Sequence, residues 1–425
     1  DKIIIMNIFT YQLLFLLVLP LALLRLLLRG IRQRAYLYSL PQRLGFFSQS
    51  QMALTDSEKV IWIHCVSVGE TNAAYPLIEI LLKQYPRHHM LISHTTPTGM
   101  NTPLVNSNRL HRCYLPFDLS WSMGLFLKRF KPQLGIIMET EIWPMMAHQC
   151  QVKKVPLFLI NARLSDKSLQ RYLRFKSFAR ATLENFEMIC TQSINDKKNF
   201  QQLTRNNLQV IANLKFDSPL PRNLQSLTNK LKKDLRIAND FVVVAGSTRE
   251  GEEADIINYF KYLPIENVVL VIVPRHPQRF HEVEHLIKLT NLPYVRKSNI
   301  KDIKRKPKII LGDTMGELNV YYGLADLVLL GGSLKDFGSQ NPIEPLRLGK
   351  YVAVGPSAYN FMDVIEKAEK QRLIFRLTNI SELESLIKKL MKAGHSKAAQ
   401  EKRHAFVEKQ SGGSKKIAEL ISRYL

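Results

Sequence analysis

The chain begins with a long uncharged apolar stretch and then settles into an alternation of short apolar runs with helix-length amphipathic segments. Residues 3–24 carry no charged side chain and are rich in Leu, Ile and Phe, matching the roughly 20 residues that a bilayer core requires. Asn7, Thr10, Gln12 and Pro20 interrupt it. Arg25, Arg29, Arg32 and Arg34 follow at once, and cations on that side place the downstream chain in the cytoplasm. A cleaved leader fits poorly, since the basic n-region is almost absent and no small-x-small site precedes the arginines. The stretch predicts an uncleaved membrane anchor, either crossing the bilayer or lying in its interface. Arg25, Arg29 and Arg43 are placed to meet anionic headgroups.

Beyond a linker at 48–58, apolar runs at 60–66, 90–93, 134–138, 156–160 and 188–191 read as buried strands. Residues 72–84 read as a helix with Leu77, Ile80 and Leu81 on one side. Such alternation argues a parallel sheet covered on both faces. Around 216–233 the composition turns to Pro, Asn, Ser and Lys, and Pro219 and Pro221 block regular structure. Alternation then restarts with runs at 241–245, 268–273, 308–311, 327–330 and 351–354, and 383–391 and 415–425 read as amphipathic helices.

The predicted class is therefore α/β, with two doubly wound, Rossmann-like domains facing a cleft. An anchor and basic juxtamembrane segment occupies 1–45, the first domain 46–217, the second 218–400, and a C-terminal helix able to pack back on the first domain 401–425. A length of 425 residues suits two such cores.

Composition narrows the partners. Sixty Lys and Arg against 36 Asp and Glu give a formal charge of +24, which calls for anionic partners: nucleic acid, a phosphorylated small molecule or an acidic membrane face. No basic-aromatic motif and no zinc-knuckle spacing is present, so nucleic acid is not expected. Cys65, Cys113, Cys150 and Cys190 form no C-x-x-C pair and read as buried thiols in a reducing compartment.

Chemistry-bearing residues collect at strand ends, the edge where doubly wound sheets bind ligands. In Val66-Ser67-Val68-Gly69-Glu70, Gly69 lets backbone approach a ligand, while Glu70 is either a proton acceptor or a helix-capping carboxylate. His94-Thr95-Thr96-Pro97-Thr98-Gly99 offers hydroxyls, or ordinary turn chemistry. Two carboxylates close together in Glu139-Thr140-Glu141-Ile142-Trp143-Pro144 place one in the cleft, paired with a basic residue such as Arg163. In the second half, Gly246-Ser247-Thr248-Arg249-Glu250-Gly251 offers hydroxyls and free N–H groups at a helix start, a phosphate cradle that matches neither G-x-G-x-x-G nor the Walker pattern. Arg275 and His276, between Pro274 and Pro277, supply a guanidinium able to clamp phosphate. Gly312-Asp313-Thr314-Met315-Gly316-Glu317 and Gly331-Gly332-Ser333 add two glycine-bearing ends, and Glu344 after Asn341-Pro342 is placed to accept ribose hydroxyls. No Asp-x-Asp pair or His cluster suits a metal.

In this order, these residues resemble the 3-deoxy-D-manno-octulosonic acid (Kdo) transferase family, from residue 60 to about 361 together with the N-terminal anchor. The resemblance rests on 66–70, 139–144, Asn213-Leu214-Lys215-Phe216-Asp217, 274–277, 312–318 and Gly338-Ser339-Gln340-Asn341-Pro342-Ile343-Glu344-Pro345. It implies a GT-B enzyme of lipopolysaccharide biosynthesis that moves Kdo from CMP-Kdo to the lipid A precursor lipid IVA with inversion. Its cofactor set is empty, with no metal, and its partners are lipid IVA, CMP-Kdo and anionic inner-membrane lipids. By the same resemblance Glu70 is the general base, and Ser67, Gly69, Thr98, Glu139, Glu141 and Arg163 serve the acceptor. Ser247, Thr248, Arg275, His276, Gly312, Met315, Gly316, Gly338, Asn341 and Glu344 serve the donor, with Arg275 and the Gly338 loop on phosphate and Glu344 on ribose. Three positions depart from the family pattern: Arg249 replaces a common His, Ser339 a second Gly, and Ala212 a Gly. The alternatives are a membrane-associated GT-B transferase using a UDP-sugar and a polyprenyl acceptor, and a basic anchored scaffold without activity.

Overall fold

The computed structural model describes residues 6–38, 40–48, 58–303, 305–394 and 396–425. Most of the linker expected at 48–58 and the first residues of the apolar stretch lie outside the described residues. The chain divides into two compact units, Asp1–Ser218 with Gln410–Leu425, and Pro219–Lys409.

The first unit is built on seven parallel strands: β1 Lys59–His64, β2 His88–His94, β3 Leu110–Tyr114, β4 Leu134–Met138, β5 Leu157–Ala162, β6 Met188–Thr191 and β7 Leu208–Val210, in spatial order β3-β2-β1-β4-β5-β6-β7. The second repeats the plan with β8 Phe241–Thr248, β9 Val268–Pro274, β10 Tyr294–Arg296, β11 Ile309–Leu311, β12 Leu327–Leu330, β13 Tyr351–Val354 and β14 Ile374–Arg376, in order β10-β11-β9-β8-β12-β13-β14. This is the α/β, doubly wound architecture that the alternation predicts, and it agrees with the GT-B plan that the resemblance implies. Helices cover both faces of each sheet, so the inner strands are apolar on both sides, as in Val60-Ile61-Trp62-Ile63 and Val242-Val243-Val244-Ala245, all buried.

In both sheets the winding reverses beside the first strand. The reversal lies between β1 and β4 in the first unit and between β8 and β12 in the second. At such a point two adjacent loops leave the sheet edge in opposite directions and open a crevice.

Three local readings are corrected. The helix Leu224–Asp234 forms inside the stretch expected to be irregular. Pro219 and Pro221 precede it, and Leu224, Thr228 and Leu231 bury a helical stripe against the helix Leu318–Leu324. Segment 401–425 is divided between the helices Lys397–Gln410 and Gly413–Ile421, with Gly412 at φ +99° between them. Arg43, expected at lipid headgroups, is only 6% exposed: its Nη2 donates to the Thr95 carbonyl at 2.5 Å and its guanidinium lies over the Tyr114 ring.

The second of these helices belongs to the first unit. Ile417, Ala418 and Ile421 share a core with Ile63, Leu77 and Leu81. Asp217 fixes the junction, since its two carboxylate oxygens accept from the Gly412 and Ser414 N–H groups, each at 2.6 Å. Removing a helix cap of this kind costs about 1–2 kcal/mol. Asp217→Ala is therefore expected to lower the stability of the first unit by that amount in urea unfolding, while Asp217→Asn, which keeps one acceptor oxygen, loses less.

Candidate functional site

In the first unit the crevice between β1 and β4 collects carboxylates. Chain leaving β1 turns at Ser67 into the helix Val68–Gln84, and the Ser67 Oγ accepts from the Glu70 N–H at 3.4 Å. Glu70 folds back over this turn. Its Oε2 accepts from the Val66 N–H at 2.8 Å and its Oε1 from the Ser67 hydroxyl at 3.1 Å. Both readings of Glu70 in the sequence are thus compatible with one geometry: it ties off the helix start and lies buried at the ligand-binding edge of the sheet. Burial foremost, and then the Glu139 charge, push its carboxyl up to about 8 against the lowering effect of the Val66 amide.

Glu139 follows β4 in a left-handed conformation, φ +57°, which a non-glycine residue adopts at a cost in strain. Its Oε1 accepts from the Lys215 ammonium at 3.0 Å. Glu141 turns to the Trp143 indole N–H at 2.7 Å, and burial raises its carboxyl as well. The charges of Glu139 and Glu141, both expected on the acceptor side, are therefore close enough to raise the carboxyl of Glu70, the expected base. Arg163 sits after β5, its carbonyl accepting from the Thr140 hydroxyl at 2.8 Å.

Gly69 faces open space: a Cβ there would meet only the Ser67 Oγ, at 3.9 Å. The loop after β2 packs behind, where the Thr96 hydroxyl donates to the Val66 carbonyl at 2.8 Å and the Gly99 Cα lies too close to that carbonyl for a side chain. Thr98 on this loop is exposed. His64 and His94 are buried, each with its Nε2 unpartnered, and burial lowers their pKa values to about 3 and about 4. They are neutral imidazoles. Two participants escaped the sequence reading of the site: Lys215, the counter-charge of Glu139, and Asn161, whose buried Nδ2 has no partner. Lys215 lies in the 213–217 motif and Asn161 directly follows the apolar run at 156–160, but nothing in the spacing shows which way either side chain points.

In the second unit the residues expected to serve the donor lie at or after the ends of β8, β9, β11 and β12. The Gly331 Cα lies against the Ser247 carbonyl, and the Ser339 and Gln340 N–H groups donate to the Gly332 and Gly331 carbonyls at 2.8 and 2.9 Å. Gly338 (φ +80°) and Ser339 (φ +69°) turn this loop, with the Gly338 N–H donating to the Ser357 hydroxyl at 2.9 Å. Asn341 donates to Glu344 at 3.0 Å, setting that carboxylate in the first turn of the helix Ile343–Arg347. Burial foremost raises the pKa of the Tyr322 hydroxyl, the Glu344 charge adding to that effect and the Arg275 charge opposing it. Gly312 closes against Val273 and Tyr321 at the end of β11, whereas Met315 and Gly316 project outward, Met315 being 63% exposed.

One expectation for this unit changes. The amides meant to cradle phosphate are partly taken by Glu252, fully buried, whose carboxylate accepts from the Arg249, Gly332 and Leu334 N–H groups at 2.9, 2.6 and 2.8 Å. The Thr248 hydroxyl likewise donates to the buried Glu253. Glu252 thus fastens the β12 loop to the β8 loop, beside the half-buried Arg249 and the exposed Arg275. Arg249 stacks over Phe337, with Nη1 3.1 Å from the His276 Nε2, and burial together with Arg249, Arg275 and Arg279 depresses the His276 pKa. Among the described residues no group of three or more His, Cys, Asp or Glu is placed to hold a metal.

Two measurements follow from this geometry. The folded state holds the Glu70 proton to about pH 8 while an unfolded carboxyl releases it near 4.5, so folding stability is lost as pH rises through that window. Glu70→Gln is expected to gain stability over wild type progressively from pH 4.5 to 8 in thermal melts and to hold a constant advantage above it. Ser339→Gly relieves the left-handed conformation and should stabilise the second unit by about 1 kcal/mol, read as a higher denaturant midpoint.

Residues 38–218 match the family described as 3-deoxy-D-manno-octulosonic-acid transferase (kdotransferase). The 3-deoxy-D-manno-octulosonic acid transferase of Haemophilus influenzae is 30% identical over 431 residues, which cover 98% of either chain. That of Bordetella pertussis is 30% identical over 386 residues, 86% of this chain and 87% of the relative. Among solved structures, the Anabaena protein HepE in complex with UDP superposes with a TM-score of 0.58 over 86% of this chain and 100% of its own, at 16% identity. The likeness there is one of fold.

Proposed function

This chain belongs to the 3-deoxy-D-manno-octulosonic acid transferase family and is a glycosyltransferase, and from that premise we propose that it moves Kdo from CMP-Kdo to lipid IVA with Glu70 as the general base. The observation that supports this reading is the state of Glu70, a buried carboxylate at a sheet switch point with its pKa raised into the range where a base accepts a proton from a hydroxyl. Glu139 and Glu141 keep that basicity high, and Lys215 stops Glu139 from adding its full charge to the crevice.

In the proposed step Glu70 takes the proton of an acceptor sugar hydroxyl as its oxygen bonds to the anomeric carbon of Kdo. The bond from that carbon to the CMP phosphate oxygen breaks on the opposite face, configuration inverts, and CMP leaves with the electron pair. Arg275 and Arg249 offset the charge growing on the departing phosphate, as cations placed in advance do without reorganising. Glu344 accepts from the ribose hydroxyls. Open space before Gly69 gives the acceptor hydroxyl its approach. Enzyme attachment is at the cytoplasmic face of the inner membrane, where the arginines after the apolar helix meet anionic lipid.

The test is transfer from freshly generated CMP-Kdo to lipid IVA, followed by mass spectrometry of the lipid. Wild type is expected to give product heavier by Kdo, with log kcat/KM rising one unit per pH unit and levelling near pH 8. Glu70→Gln should fold and lose roughly 100- to 10,000-fold in kcat. A wild-type rate in Glu70→Gln would remove Glu70 from the base role, and no product from a folded preparation would redirect the search to UDP-sugar donors. Arg275→Ala should raise the donor KM roughly 10- to 100-fold, the loss of a charge-assisted hydrogen bond, with acceptor KM unchanged.

A further inference from the structure

The helix Ile8–Arg32 is long and apolar enough to cross a membrane. Both of its ends, however, are tied to the first unit. Near its start the Tyr11 hydroxyl donates to Asp118 at 2.8 Å, and the Tyr11 ring packs on Phe178 with centroids 5.7 Å apart. Asp118 is itself buried, accepting from the Met145 and Met146 N–H groups, so this anchor point belongs to the core and not to a loose rim. Asn7 and Ile8 close a cavity whose other walls include Pro144 and His148.

After the helix, the chain is fixed again. Gly30 packs on Leu37, the Tyr114 N–H donates to Gln42 at 2.7 Å, and Phe47 lies against Phe126 and Phe130. Tyr11 and Ile31 are about 30 Å apart along a straight helix, the thickness of a bilayer core. A crossing helix would carry Tyr11 to the face opposite its arginines. Tyr11 instead contacts the same unit that the residues beyond Arg34 enter.

The pattern along the helix agrees. Tyr11, Phe15, Leu19, Ala22 and Leu26 are half-buried and Gly30 is buried, at steps of three and four that keep them on one side. On the other side Phe9, Leu13, Leu17, Leu21, Leu24 and Leu28 form a continuous stripe, 52% to 82% exposed. That stripe far exceeds the scattered apolar residues a soluble surface tolerates. Arg25, Arg29 and Arg34 are exposed at its end, a charge fit for anionic headgroups.

We propose that the helix Ile8–Arg32 is an in-plane membrane-binding surface, clamped to the first unit through Tyr11 and Asp118 at one end and the 40–48 segment at the other. Its outer stripe sinks into a single leaflet that carries anionic lipid. The protein is thereby monotopic, and this holds whichever sugar it transfers.

The test uses the full chain with single cysteines replacing Phe9, Leu13, Leu17, Leu21, Leu24 and Leu28 in turn. All six positions are exposed and the four native cysteines are buried, so labelling is selective and folding is spared. Each variant is spin-labelled and reconstituted into vesicles of phosphatidylethanolamine with phosphatidylglycerol. Depth is read from relaxation by oxygen against a water-soluble nickel complex. The in-plane helix gives one shallow depth at all six positions, about 5–10 Å below the headgroups. Depth that climbs to a maximum near Leu17 and Leu21 and falls again shows a crossing helix and overturns the proposal. Aqueous values throughout, with or without the spin–spin broadening of a second copy seated on the stripe, overturn it too.

Discussion

Withdrawal of one carboxylate from water organises the first unit. Glu70 lies at the only kind of place in a doubly wound sheet where backbone N–H groups, a helix start and open space coincide, and it takes two hydrogen bonds from the turn that holds it. Those bonds favour its charge, whereas burial and the neighbouring carboxylates oppose it more strongly. A carboxyl held in that balance keeps its proton near neutrality yet remains fixed in position, so the group that closes the helix start is also the one whose proton affinity the fold raises. The strained backbone at Glu139 and its bond to Lys215 belong to the same balance, since they set how much negative charge Glu70 experiences.

The second unit uses a carboxylate for the opposite purpose. Glu252 takes the corresponding place after its first strand, but its oxygens are spent on three backbone amides, and it brings no reactive group to the surface. It joins two loops that end neighbouring strands, and the cations around it are thereby presented on a rigid edge. One fold, duplicated, thus uses its first-turn glutamate in two ways, beside other carboxylates with a raised pKa in one copy and on backbone amides in the other.

The limits of reading this chain follow the same physics. All ten interior strands were legible as apolar runs, because burial on both faces demands continuous hydrophobicity. The four strands that gave no such signal, β3, β7, β10 and β14, are the four sheet edges. His111, Arg112, Gln209, Arg296 and Arg376 lie in them, since an edge strand is covered on fewer sides and tolerates polar residues. At the site, Glu70 stood out as a carboxylate at a strand end, but local sequence left it open between a proton acceptor and a helix cap, and only the family resemblance chose between them. Lys215 and Glu252 did not stand out, because what defines them is a partner 76 and 80 residues away. The helix Leu224–Asp234 was hidden by prolines that lie outside it.

The return of the chain to its first unit has a consequence for biosynthesis. Ile417, Ala418 and Ile421 complete a core begun by Ile61 and Ile63, some 350 positions earlier, and the whole of the second unit is synthesised in between. The second unit is continuous in sequence and can close as soon as it leaves the ribosome, whereas the first keeps part of its helix-covered face bare until the helix Gly413–Ile421 arrives. Completion of the two units therefore inverts their order of synthesis, and the apolar surface left waiting is a window in which a chaperone, or a neighbouring nascent chain, competes with the helix Gly413–Ile421.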